Sequence, residues 1–219
     1  MHFLLLNSFQ YDKLIRKSMK GDSIANKAST IATGGFSNLS THNRADNDYY
    51  ATDPVAVQLL LELEDFSDKR IWECACGEGH LSKAMIEAGL KVISSDIVDR
   101  GYGYVYDFLS EENDYWDGHI ITNPPYKYAN EFILKAISIT QSGNKIAFFL
   151  PIRYLEGKER KKIFQQYPPR VVYVSSSRIL CALNGDFNNR KSKSGSAMAF
   201  AWFIWIKGYN GITELRWFN

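Results

Sequence analysis

Asn123-Pro124-Pro125-Tyr126 follows the apolar run His119-Ile120-Ile121-Thr122, and its residue types suit one chemical task. That task is to make a planar, conjugated NH2 group attack an electrophile. The lone pair of such a nitrogen is delocalised into a ring or carbonyl, so it needs acceptors for its N–H groups before it can pyramidalise. The Asn123 side-chain oxygen and the Pro124 carbonyl are acceptors of that kind. Two prolines fix φ and hold these groups in place ahead of the reaction. Tyr126 adds a face on which a flat base or amide can stack. Four residues alone suit a proline-rich strand-to-helix turn equally well. The rest of the chain decides between the two.

A second constellation precedes it. Glu73-Cys74-Ala75-Cys76-Gly77-Glu78-Gly79 has the spacing E-x-x-x-G-x-G, which permits a tight turn and close backbone approach to a ligand. Asp96 stands about 20 residues further on, where a carboxylate can hold the two hydroxyls of a ribose. Asp107 is expected to accept from an adenine amino group, and Phe108 to stack on that ring. Leu81 and Ser82 occupy the region of a third glycine, which weighs against a dinucleotide. His80 reads as a helix-start residue, and no histidine presents itself as a general base.

The elements that must position these residues follow from periodicity. Asp53 is expected to cap a helix with Pro54 in its first turn. Strands are predicted over 70–74, 91–95, 104–106, 119–122 and 145–150, with helices over 81–88, 128–140 and 157–165. Strands 171–175 and 197–206 follow, separated by a polar loop over 184–196, and the tail 214–218 is a further edge candidate. Trp202 and Trp205 alternate with apolar residues and read as packing. This βα alternation predicts one α/β domain, a Rossmann-like, doubly wound, mostly parallel seven-stranded sheet with an antiparallel C-terminal strand. Residues 1–48 are expected to be a flexible N-terminal segment, since 20–47 is rich in Ser, Thr, Asn and Gly, leaving 49–219 as the folded domain.

Composition narrows the function. At 219 residues and 45% hydrophobic, the chain suits one sizeable core. Cys74, Cys76 and Cys181 cannot all pair, so free thiols in a cytoplasmic protein are expected. Cys74-x-Cys76 has no second Cys/His pair at ligand spacing, so no metal site is predicted. The Phe3–Leu6 run is too short to span a membrane. The net charge of +2 conceals an asymmetry: 53–118 holds 15 Asp/Glu against 5 Lys/Arg, and 151–193 holds 10 Lys/Arg against 3 Asp/Glu. A basic half of that extent predicts a polyanionic partner. Arg153, Lys158, Arg190, Lys191 and Lys193 are the expected phosphate contacts. Asn184, Asn188 and Asn189 are candidates for reading base edges.

The chain resembles the class I S-adenosylmethionine-dependent amino-methyltransferases, and among them the small phage-type DNA N6-adenine methyltransferases. The matching segments are Asn47–Pro54, Glu73–His80, Asp96, Asp107, Asn123–Tyr126, Pro151–Lys158 and Ala201–Trp205. The resemblance implies S-adenosylmethionine as cofactor. Its expected contacts are Tyr50, Thr52, Glu73, Ala75, Cys76, Gly77, Gly79, Asp96, Ile97, Asp107, Phe108 and Asn123, with Thr52 near the methionine carboxylate. It implies adenine in DNA as substrate, the base flipped into the Asn123–Tyr126 site. RNA adenine and protein glutamine methylation share the same tetrapeptide and stand as alternatives, as does a silent nucleic-acid-binding module. No separate target-recognition domain is evident, which is a departure from restriction-type enzymes.

Overall fold

The structure, a computed structural model, describes residues 50–112, 115–177, 179, 181–183 and 198–219. The expected N-terminal segment lies outside these residues. The strands are β1 (Tyr50–Thr52), β2 (Ile71–Glu73), β3 (Val92–Asp96), β4 (Tyr104–Val105), β5 (His119–Thr122), β6 (Lys145–Pro151), β7 (Val171–Ser175), β8 (Cys181–Leu183), β9 (Phe200–Ile206) and β10 (Glu214–Phe218). The helices are α1 (Val55–Leu63), α2 (His80–Glu87), α3 (Ala129–Ile139) and α4 (Lys158–Gln166).

The main sheet has eight strands in the order β10-β7-β9-β6-β5-β2-β3-β4. The expected seven become eight because the tail does form an edge, pairing parallel to β7. Only β9 runs against its neighbours, antiparallel to both β6 and β7. A ribbon of β1 and β8, antiparallel in the register Ala51↔Ala182, stands apart from the sheet.

Central strands of such a sheet are covered on both faces, so they read as nearly unbroken apolar runs. Ile146, Phe148 and Leu150 of β6 face one cluster with Phe132, Ile133 and Ala136 of α3. Ala147 and Phe149 face the other, with Val57 and Leu60 of α1 and Leu81 and Met85 of α2. Trp202 and Trp205 are both buried, on opposite faces. Each indole N–H finds a carbonyl, Trp202 that of Ala56 at 2.8 Å and Trp205 that of Tyr167 at 3.0 Å. The expected cap of α1 is present: Asp53 Oδ1 accepts from the Val55 N–H at 3.1 Å, and Pro54 already has helical angles.

The first helix is tied to the sheet by charge. Glu64, buried at the end of α1, accepts from Lys145 Nζ at 2.8 Å, from the Tyr173 hydroxyl at 2.8 Å and from the Arg170 guanidinium. Burial alone would raise its pKa, but these three partners bring it below the ordinary glutamate range. Nearby, buried His119 bonds through Nε2 to Asp68 at 2.9 Å and accepts the Lys145 N–H at Nδ1, also at 2.9 Å. Burial lowers its pKa, so it is the neutral imidazole with Nε2 protonated.

Glu64→Ala would leave two cations facing an apolar interior. The expected loss is about 3–5 kcal/mol, read from the midpoint of urea unfolding at pH 7. Because the folded carboxylate is depressed, its contribution is present above the unfolded pKa and fades as the pH falls through and below it. A loss under about 1 kcal/mol would mean the pair is a surface ornament.

Candidate functional site

The strand order reverses at β2. The chain moves outward from β2 to β3 and β4 on one side, then returns to lay β5 and β6 on the other. Helix α2 after β2 covers one face and α3 after β5 covers the opposite face. The loops at the carboxyl ends of β2 and β5 therefore diverge and leave a crevice between them. One loop is the glycine turn and the other is Asn123–Tyr126.

The glycine turn is held by backbone and carboxylate. The Cys76 N–H donates to the Ser95 carbonyl at 2.9 Å, and the Gly77 N–H donates to Asp96 Oδ2 at 2.8 Å. Asp96 Oδ1 accepts from the Val98 N–H at 3.0 Å. One carboxylate thus clamps the ends of two adjacent parallel strands, and each oxygen keeps a second lone pair for a ligand hydroxyl. Gly77 and Gly79 have φ of 54° and 78°, the left-handed region that a side chain would strain. Gly79 carries a further constraint: a Cβ there would lie 2.3 Å from the Tyr102 ring.

Glu73 lies beneath this turn. Its carboxyl is buried and accepts from the Ser82 hydroxyl of α2, which also pairs with Ser94 Oγ of β3 at 2.6 Å. Through these bonds the carboxyl fastens α2 to the strand ends. Burial raises its pKa from 4.5 to about 8 against the opposing pull of Ser82.

The Asn-Pro-Pro-Tyr segment leaves β5 directly. Pro124 is buried, and Pro125, with φ −60° and ψ 120°, turns the chain into a single 3-10 turn over Tyr126–Tyr128. The Pro125 carbonyl accepts from the Tyr128 N–H at 2.9 Å. Asn123 Nδ2 donates to the Thr52 hydroxyl at 2.8 Å, which fixes the rotation of the amide. Tyr126 is half-buried, its ring 6.1 Å from that of Phe200.

The remaining expected residues divide. Ile97 is 63% exposed just past Asp96, and Asp107 is exposed with Oδ1 taking the Leu109 N–H at 2.9 Å. Ala75 is half-buried and Cys76 buried, its thiol pushed up to about 12 chiefly by that burial. Phe108 is buried, its ring T-shaped to that of Trp72 at 5.1 Å and tilted against Phe132 at 5.0 Å. Arg153 and Lys158 are exposed beyond the end of β6, the strand that neighbours β5. Arg190, Lys191, Lys193 and the three asparagines lie outside the described residues, as does the side chain of Tyr50. Among the described residues no group of His, Cys, Asp or Glu could hold a metal ion, and no helix is long and apolar enough to cross a membrane.

Two features escaped the sequence. Tyr102 roofs Gly79 while its carbonyl meets Cys76 Sγ at 3.6 Å; its bracketing by Gly101 and Gly103, both at positive φ, was the available signal. The ribbon that carries Thr52 to Asn123 had none, because its two strands are three residues each and 129 positions apart.

No protein-family model and no curated protein sequence matches the chain. Solved structures do. A Listeria monocytogenes protein described as a class I S-adenosylmethionine-dependent methyltransferase superposes with a TM-score of 0.52 and 13% identity, over 80% of this chain and 67% of that one. A Vibrio vulnificus protein described as a modification subunit of a type I restriction enzyme gives 0.52 and 13%, over 94% of this chain. This chain spans 49% of that protein's length. A Lactococcus lactis protein described as a hemolysin gives 0.52 and 11%, over 74% and 89%. The likeness establishes the fold. It is a single α/β domain with the Rossmann-like sheet of these methyltransferase structures.

The Glu73 carboxyl yields a pH test. Between 4.5 and about 8 the folded chain holds a proton there that the unfolded chain has lost. Stability should therefore fall as pH rises through that window, by up to about 1.4 kcal/mol per unit. Glu73→Gln should flatten the slope in thermal unfolding followed from pH 5 to 8. Equal slopes in the two proteins would contradict a buried, protonated Glu73.

Proposed function

We propose that this chain transfers a methyl group from S-adenosylmethionine to the N6 amine of adenine in DNA. The observation that carries the reading is a juxtaposition: at the carboxyl ends of the neighbouring parallel strands β2 and β5 stand the clamped glycine turn, tied to Asp96, and an Asn-Pro-Pro-Tyr segment whose amide is held by Thr52. The residues present fit a nucleoside-bearing cofactor. Asp96 would hold the ribose hydroxyls with the lone pairs left beyond Gly77 and Val98, and exposed Ile97 and Asp107 would meet the adenine ring and its amine. When bound, the cofactor supplies a methyl carbon activated by its sulfonium.

The chain's own part is positioning and charge. Asn123 Oδ1 and the Pro124 carbonyl accept the two N–H groups of the target amine, drawing its lone pair out of the ring. Tyr126 stacks on the flipped base. Thr52 acts through Asn123 as a positioning residue, since the bond to Nδ2 aims Oδ1 at the substrate. A neutral amine gains a positive charge on methylation and then loses a proton to water, so no strong base is required.

The polyanion reading is supported by where the charges fall. Among the described residues the acidic 53–118 stretch supplies β2, β3 and β4 at one end of the sheet, and the basic 151–193 stretch supplies β7 and α4 toward the other. The Asn123 loop sits at the boundary. An open groove of about 610 Å³ over the start of α4 has Leu155 and Phe164 in its lining together with Lys158 and Lys161, a combination suited to base and phosphate together. The Vibrio neighbour, described as part of a restriction–modification enzyme, favours DNA over RNA.

Asn123→Ala should reduce methyl transfer to adenine-containing duplex by at least 100-fold, an order typical of losing one preorganised group, with calorimetric cofactor affinity nearly unchanged. Thr52→Val should lower kcat with little change in KM for DNA, and Thr52→Ser should restore it. Substantial turnover in Asn123→Ala would overturn the amine-acceptor role. Separately, replacing Arg190, Lys191 and Lys193 together by Gln should weaken DNA binding. It should also flatten the log–log salt slope by roughly 0.9 for each phosphate no longer neutralised. An unchanged slope and affinity would move the DNA surface away from these residues.

A further inference from the structure

The last strand of the sheet bears a pattern that the proposed catalysis does not use. Strand β10 ends the strand order, and among the described residues no strand pairs with its outer side. Its inner side is satisfied by β7: the Glu214 N–H donates to the Arg170 carbonyl at 3.0 Å, and the Phe218 carbonyl accepts from the Ser176 N–H at 3.0 Å. Backbone direction alternates along a strand. The N–H and C=O groups of Leu215 and Trp217 therefore point outward from the sheet. Natural edges of this kind are blunted with Pro, Lys or short length. Here the strand is Glu214-Leu215-Arg216-Trp217-Phe218, with neither Pro nor Lys. Leu215 is 47% exposed, Trp217 66% and the adjoining Ile212 87%.

We propose that β10 pairs antiparallel with β10 of a second copy of this chain, about a two-fold axis through Leu215. Outward groups at 215 and 217 allow three self-pairing registers, centred on Leu215, Arg216 or Trp217, and the last sets Arg216 opposite Phe218 with no charge pair. Centring on Arg216 would set two guanidiniums directly opposite each other and Glu214 against Phe218. Centring on Leu215 sets Glu214 of each copy opposite Arg216 of the other, twice over, in the non-hydrogen-bonded positions where opposed side chains lie closest. On the other face Leu215 meets its counterpart and Trp217 packs across the axis. Charge complementarity thus selects both the occupant and the register. The arrangement is isologous and closes on itself. It joins two eight-stranded sheets edge to edge, and the reversal of strand direction turns their two crevices to opposite rims.

Charge exchange between copies tests this directly. Sedimentation equilibrium of the full chain over a hundredfold concentration range should give twice the chain mass at the upper end. Glu214→Arg alone and Arg216→Glu alone should each weaken dimerisation at least tenfold, by opposing like charges across the axis. Mixing the two variants in equal amounts should recover the dimer, because every cross-axis contact then becomes Arg against Glu. Recovery on mixing cannot come from the ion pair within one strand, where Arg216 Nε donates to Glu214 at 2.8 Å, nor from misfolded protein. A wild type that stays monomeric throughout, as it would if residues 1–49 of its own chain covered the edge, overturns the proposal. So does a dimer indifferent to both single changes, or one abolished in each variant and not regained in the mixture.

Discussion

A sheet of parallel strands must be covered on both faces, and that requirement creates the crevice on which everything else depends. With apolar residues on both sides of β2, β5 and β6, one helix layer cannot bury the sheet. Helix α2 follows β2 onto one face, α3 follows β5 onto the other, and the two loops part where the strands end. Binding residues can then be supplied by short, stiff turns rather than long loops. The Asp96 carboxylate locks one turn through Gly77, and two prolines lock the other. Both turns are held by bonds within the chain.

The acidic and basic halves of the chain acquire meaning only in three dimensions. In the sequence they are the separate stretches 53–118 and 151–193. Among the described residues the strands they supply lie toward opposite ends of the sheet, because β3 and β4 extend one way from β2 while β6, β9 and β7 extend the other. In the proposed reading a cationic cofactor centre would be favoured near the carboxylates and a polyanion near the lysines and arginines. The same layout leaves β10, at the far basic end, as an edge that charge pairing can close.

Much of this was legible in the amino-acid order, for physical reasons that differ by element. The glycine turn was readable because only glycine relieves positive φ. The strands β6 and β9 were readable because burial on both faces leaves little room for polar residues. The packing of Glu73 and Phe108 was not readable in the same way. Position at a strand end is visible in a sequence, but whether the side chain faces the crevice or the core depends on Ser82, Ser94, Trp72 and Phe132, which arrive from other elements. The Thr52–Asn123 bond is a tertiary fact of the same sort: a three-residue ribbon with no periodicity of its own brings together groups 71 residues apart.

The central claim is that the oriented amide at Asn123 activates an exocyclic amine of a base. Its most direct test is to incubate the full chain with a labelled methyl donor and three polymers in parallel: duplex DNA, RNA and a glutamine-rich protein. Complete hydrolysis and mass spectrometry then locate the label. The account predicts N6-methyladenine from the duplex. Label confined to cytosine N4, to RNA or to glutamine, or no transfer to any of the three, would contradict it.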